Sequence, residues 1–226
     1  MDIQLCLGMA PQSTIMVYYT SNTFTLSVIN QIAVDNLAGT VSTSWGLPED
    51  SSLFSNYYPG ALNAENLIFK QMAAQGQSCF AASGDSGAFA DGYYLSVVDP
   101  ASQPYITAVG ATTLSYGSGG SYISETTWYN PTSQSVQGSG GGISSQWNIP
   151  SYQKSRGVIS ASSGGSTTMR NIPDVSLDGD PNTGYSIYVA GSWTKTGRSS
   201  KFSPKKCVSV LFVSLMLVDS PVIQSK

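Results

Sequence analysis

The sequence predicts an α/β protein built on a parallel β-sheet flanked by helices, and three observations carry that prediction. Short β-branched and aromatic runs alternate with segments whose apolar residues recur at helical spacing. Glycines or clusters of polar residues close each segment. The 226 residues, 41% of them apolar, suffice for one domain with a sizeable core.

Thr14 to Tyr19 reads TIMVYY between polar residues, the pattern of a buried strand. From about Thr23 to Leu37, residues Phe24, Val28, Ile29 and Ile32 fall at helical spacing, and Gly39 stops the segment. Thr40 to Ser44 is a second strand. Beyond a Pro/Ser/Tyr loop, Ala61, Ala64, Ile68 and Met72 mark another amphipathic helix, with Gly76 as its C′ residue. Ser78 to Ala82 is a third strand and Tyr105 to Val109 a fourth. Strands joined by helical crossovers of this length run parallel. From Ser115 to about Thr168 the chain is rich in Gly, Ser, Asn and Pro, with GSGGG at Gly138 to Gly142, and is expected to form loops that wall a site. Tyr185 to Val189 and Ser192 to Thr194 read as a hairpin about Ala190-Gly191.

Composition removes several chemistries. There is no histidine, which excludes a Ser-His-Asp triad, a Cys-His pair and any His-ligated metal. Cys6, Cys79 and Cys207 are too few and too far apart for a disulfide framework, and none forms a CxxC pair. Residues 1–194 carry net charge −8 and residues 195–226 net +5. The basic cluster Lys195, Arg198, Lys201, Lys205 and Lys206 has no aromatic series beside it and follows an acidic body, so no nucleic-acid partner is expected. Val208 to Val218 is apolar but too short for the ~20 residues of a membrane helix, and is expected to be a buried helix or strand; no membrane association is expected. No signal peptide is visible near Met1.

In open parallel sheets, ligands bind beyond the carboxyl ends of the strands. Two polar motifs stand there: Ser44-Trp45-Gly46 after the second strand, and Ser83-Gly84-Asp85-Ser86-Gly87 after the third. Taken alone, SGDSG also serves as a plain turn. The ordered set is more specific. It runs Met1-Asp2-Ile3-Gln4, Met9-Ala10-Pro11, Ser42 to Gly46, Ser83 to Gly87, Val98 to Tyr105 and Ala108 to Thr112. It continues through Glu125 to Asn130, Gly140 to Ser144, Ile172 to Ser176 and Asp180 to Tyr185. Over residues 1–204 this series resembles the sedolisin family of serine-carboxyl peptidases.

The resemblance implies a subtilisin-like fold and peptide-bond hydrolysis by Ser-Glu-Asp with an aspartate in the oxyanion hole. Position by position it makes Asp2 the aspartate of the family's Glu-x-x-x-Asp pair, Asp85 the oxyanion-hole donor and Ser200 the nucleophile, within Gly197 to Pro204. Ser44, Trp45 and Gly46 would bind an extended peptide as an added strand. Asp99 falls where the family often has an acidic residue near the P1 pocket; alternatively it is a turn residue before Pro100. A carboxylate accepts the serine proton only while ionised, whereas an oxyanion donor must stay protonated, so an acidic optimum follows. The resemblance further implies calcium as a cofactor, secretion, a peptide or protein substrate and a monomer.

Three departures qualify this. The family's glutamate lies four residues before the aspartate, a position that precedes Met1. Arg198 and Lys201-Phe202 stand where small residues are usual. Nothing after Pro204 resembles the calcium segment, whose ligands are therefore expected to be missing. The chain is accordingly expected to be an incomplete peptidase domain over residues 1–204, lacking its N-terminal part, with a divergent tail at 205–226 and no full activity as it stands. The alternative is a catalytically dead module that binds extended peptides. A Gly/Ser-rich structural protein would predict repeats, and none are found.

Overall fold

A computed structural model describes residues 2–20, 26–131, 137–154, 159, 163–197 and 209–214. Its centre is a sheet in the order Ile15–Thr20, Ser209–Ser214, Thr40–Thr43, Ser78–Ala82, Thr107–Tyr116, Val175–Asp178. Every neighbouring pair in that series is parallel. Tyr122–Thr127 adds antiparallel to the Thr107–Tyr116 strand. The predicted α/β class and parallel sheet are thus observed.

The helices Leu26–Asp35 and Ala61–Ala74 pack on each other and on the sheet. Their buried faces, Val28, Ile29, Ile32 and Ala33 on one and Phe69 and Met72 on the other, meet Val41, Cys79, Ala81 and Ala108 from the strands in one core. Each fully buried Ile, Met or Phe contributes roughly 1.5–3 kcal/mol. Gly76, at φ +83, lets the chain reverse after the second helix without the Cβ penalty of that region.

Several boundaries differ from expectation. The fourth strand begins two residues later than predicted and runs on to Tyr116. Part of the glycine- and serine-rich stretch after Ser115 is β structure, Tyr122–Thr127 and Gly142–Asn148, the latter paired with Met169–Ile172. Composition misled there because backbone pairing carries these strands, while most of their side chains face solvent. Within residues 205–226, the apolar run expected as a helix or strand contributes Ser209–Ser214 to the sheet, second from its edge, between Ile15–Thr20 and Thr40–Thr43. The hairpin forms about the predicted turn, its second strand running two residues further to Thr196, with Ala190 at φ +49 and Gly191 at φ +83 giving two successive left-handed residues. Among the described residues no helix is long and apolar enough to cross a membrane.

Candidate active site

The Thr40–Thr43 and Ser78–Ala82 strands are in register, Thr43 opposite Ala81. Ser44-Trp45-Gly46 and the Ser83–Gly87 loop therefore leave the same edge of the sheet side by side, at its carboxyl end.

A third element joins them. The helix Asp2–Met9 presents Asp2 in its first turn, where the positive end of the helix dipole favours a carboxylate. Gln4 fixes this helix to the hairpin: its Nε2 donates to the Tyr188 carbonyl at 2.8 Å and its Oε1 accepts from the Tyr188 amide at 2.9 Å. So held, Asp2 accepts a hydrogen bond from the Ser44 hydroxyl through Oδ2. Two residues 42 apart in sequence, chosen from separate motifs, are thus in direct contact.

Ser44, Trp45 and Gly46 are all exposed, Trp45 by 47%. Thr43 braces the segment, its Oγ1 accepting from the Trp45 amide at 3.1 Å. Gly46 lies against Val98 and the Asp99 carbonyl so closely that a Cβ would overlap both. Behind it, Leu47–Pro48 pairs antiparallel with Val98–Asp99. The chain then enters the rim of a cleft of about 500 Å³ lined in part by Glu49, Phe54, Tyr58, Gln146 and Trp147.

Asp85 is half-buried in a loop that a glycine-rich segment holds in shape. Gly138 donates its amide to the Asp85 carbonyl at 2.9 Å, Gly140 donates to the Gly84 carbonyl at 2.8 Å, and Gly87 donates to the Gly138 carbonyl at 3.1 Å. The Ser83 hydroxyl donates to the Gly140 carbonyl at 2.7 Å. Gly140 passes so near Ser83 that a Cβ would overlap the Ser83 carbonyl oxygen. Gly140→Ala is expected to push the two segments apart and lower stability by about 1–3 kcal/mol, the usual penalty of overpacking, as a fall in the midpoint of urea unfolding.

Asp99 does not face solvent. It is 3% exposed, and Gln103 Nε2 donates to its Oδ1 at 2.7 Å. Its carboxyl meets that of Glu65, a contact the sequence analysis missed. The signal was present: Ala61, Glu65, Phe69 and Met72 are the buried face of their helix, and an acid at that spacing marks a buried carboxyl. Ser200 lies outside the described residues. For the calcium ion implied by resemblance, no group of three or more Asp, Glu, Cys or His side chains among the described residues is placed so that it could hold a metal ion.

The chain is similar to known peptidases over most of its length. A model of the subtilase family of peptidases matches residues 2–206. Kumamolisin from Bacillus sp. (strain MN-32) is 36% identical over 212 residues, which cover 90% of this chain and 37% of kumamolisin. Sedolisin from Pseudomonas sp. (strain 101) is 36% identical over 210 residues, 89% of this chain and 33% of that protein. The chain spans about a third of the length of these relatives. The solved structure of Pseudomonas sedolisin, a serine-carboxyl proteinase complexed with two molecules of pseudo-iodotyrostatin, superposes with a TM-score of 0.68 at 34% identity. The superposition covers 79% of this chain and 49% of that one.

Proposed function

The chain belongs to the subtilase family of serine peptidases, in its sedolisin group, and on that premise we propose that it is the catalytic part of a secreted endopeptidase active in acid. The observation that carries this is the hydrogen bond from Ser44 to Asp2 at the carboxyl edge of the sheet, beside the loop that bears Asp85.

In this mechanism Ser44 to Gly46 binds an extended peptide along its exposed backbone, placing the scissile carbonyl near Asp85. The hydroxyl oxygen of Ser200 attacks the carbonyl carbon, and its proton passes to a carboxylate base. The resemblance assigns that base to the glutamate of a Glu-x-x-x-Asp pair whose aspartate is Asp2, and no residue of this sequence is assigned as that glutamate. The developing oxyanion accepts a hydrogen bond from Asp85, which must be protonated to donate, as low pH ensures. Collapse of the tetrahedral intermediate expels the amine with the proton returned by the base, and water then releases the acyl group from Ser200 by the same steps in reverse order.

The test is cleavage of a denatured protein substrate from pH 2.5 to 7.5, together with labelling by a peptide aldehyde located by mass spectrometry. Weak cleavage that falls as the pH rises, short of full activity because no glutamate is assigned as the base, with the label on Ser200, is the expected result. Acid-dependent capture of the peptide with neither cleavage nor label would replace this mechanism by the binding module.

A further inference from the structure

We propose that Glu65 and Asp99 form a proton-sharing carboxyl pair that ties the wall behind Gly46 to the helix layer in acid and loosens it as the pH rises. The pair's place behind a substrate cleft rests on the proposed peptidase function. Its effect on folding does not.

Glu65 projects inward from the Ala61–Ala74 helix and is 2% exposed; Asp99 ends the two-residue strand that pairs with Leu47–Pro48. Among the described residues the surroundings supply no cation. Gln103 uses its amide fully, donating through Nε2 to Asp99 Oδ1 and to the Leu62 carbonyl at 3.3 Å while Oε1 accepts from Asn66 at 2.9 Å. Among the described residues no donor reaches the buried Oε2 of Glu65. As a carboxylate, Glu65 would therefore bury both an unpaired acceptor and a charge facing Asp99. With one proton between them, Glu65 donates to Asp99 and both defects vanish.

The other titratable groups around the pair do not relieve it. Glu49, 3% exposed, faces Asp99 and adds repulsion, while its own carboxylate accepts from the Ser144 hydroxyl at 2.7 Å and from the Ser145 amide and hydroxyl. On the elements packed against the helix, Asp35 accepts from Tyr18 and Gln31, and Cys79 contacts the Met72 sulfur. Lys70, the helix's own cation, is exposed. Burial first, then the charge of Asp99, holds the Glu65 carboxyl well above the ordinary carboxylate range. Burial also raises Asp99, while hydrogen bonds from Glu65 and Gln103 act in the opposite direction, which puts the shared proton on Glu65.

The sign of the linkage follows. Below the ordinary glutamate value of 4.5, folded and unfolded chains both hold the Glu65 proton and its stabilisation is complete. Above it the unfolded chain releases the proton and the folded chain keeps it, so stability falls as the pH rises until the folded group ionises as well. One such proton changes the folded-to-unfolded ratio by about tenfold per pH unit.

Urea unfolding of the full chain and of Glu65→Gln, at each unit from pH 4 to 8, tests this. Glutamine keeps the size and an N–H donor but cannot titrate. The expected result is near-equal stability at pH 4, with the variant gaining on the parent by about tenfold in folding equilibrium per unit above pH 5. Hydrogen exchange at the Leu47 and Asp99 amides, compared at one pH, is expected to be slower in Glu65→Gln at pH 7. Parallel pH profiles for the two proteins would overturn the proposal. So would a Glu65→Ala chain that, though less stable throughout, keeps the parent's slope. Failure of the peptidase assay would leave these unfolding results unaffected.

Discussion

Arg170→Ala is expected to lower the unfolding free energy by about 3–5 kcal/mol, the penalty for breaking a buried ion pair from one side. Arg170 is 0% exposed, and its fork meets Asp174 with two bonds of 2.6 Å, Nη1 to Oδ1 and Nη2 to Oδ2. The same nitrogens donate to the Asn171 carbonyl at 3.0 Å and the Ile106 carbonyl at 3.1 Å, and the guanidinium lies 5.6 Å from the Tyr152 ring centre. Asp174 in turn accepts from the Ala108 amide at 2.8 Å and from Gln153 at 3.0 Å. One pair thus joins the start of the Thr107–Tyr116 strand to the turn that opens the Val175–Asp178 strand. Losing the cation strands Asp174 among dipoles arranged for a neutralised carboxylate. Arg170→Lys keeps the charge but not the planar fork, so a smaller loss is expected. Arg170→Met combined with Asp174→Asn is expected to recover part of the loss, because the orphaned charge is gone. Equilibrium unfolding in urea measures all three, and a loss under 1 kcal/mol for Arg170→Ala would show that the pair is not the tie between those strands.

Asp85→Ala is expected, on the proposed mechanism, to lower kcat by about 10²–10³-fold with little change in KM, as removal of one oxyanion donor does elsewhere. Backbone bonds among Gly84, Asp85, Gly87, Gly138 and Gly140, and the Ser83 hydroxyl on the Gly140 carbonyl, hold its loop, and the truncation removes none of these. Asp85→Asn separates the electrostatic role from the structural one. An amide N–H donates at any pH, so the asparagine variant is expected to keep more activity than alanine and to lose it at higher pH than the parent. Steady-state kinetics from pH 3 to 7 decide this. An unchanged profile in both variants would remove Asp85 from the mechanism.

Much of this architecture was legible in the chain because local pattern and global packing agree. Ser78 to Ala82 was predicted at its observed limits, and the hairpin about Ala190-Gly191 needs two left-handed residues that its turn supplies. The pairing of the Ser44 and Asp85 loops at one edge was implied by parallel strands. Side-chain contacts between distant segments were not legible. Nothing in the spacing of Asp2 and Ser44 says that the hydroxyl of one reaches the carboxylate of the other. The glycine-rich stretch reads as loops that wall a site, and Gly138 and Gly140 within it are bound edge to edge with the SGDSG loop; close backbone approach and looseness both call for glycine, and composition does not distinguish them.

The sequence by itself determined the α/β class, the order of the first strands and helices, the absence of histidine chemistry and the polar motifs at the strand ends, since periodicity and composition are local properties. Only the tertiary structure decided which motifs meet. It turned Asp99 inward to Glu65 and placed Ser209–Ser214 between the Ile15–Thr20 and Thr40–Thr43 strands. The physical reason is that burial and carboxyl pairing depend on neighbours brought from far along the chain, and a carboxyl's chemistry is set by what surrounds it.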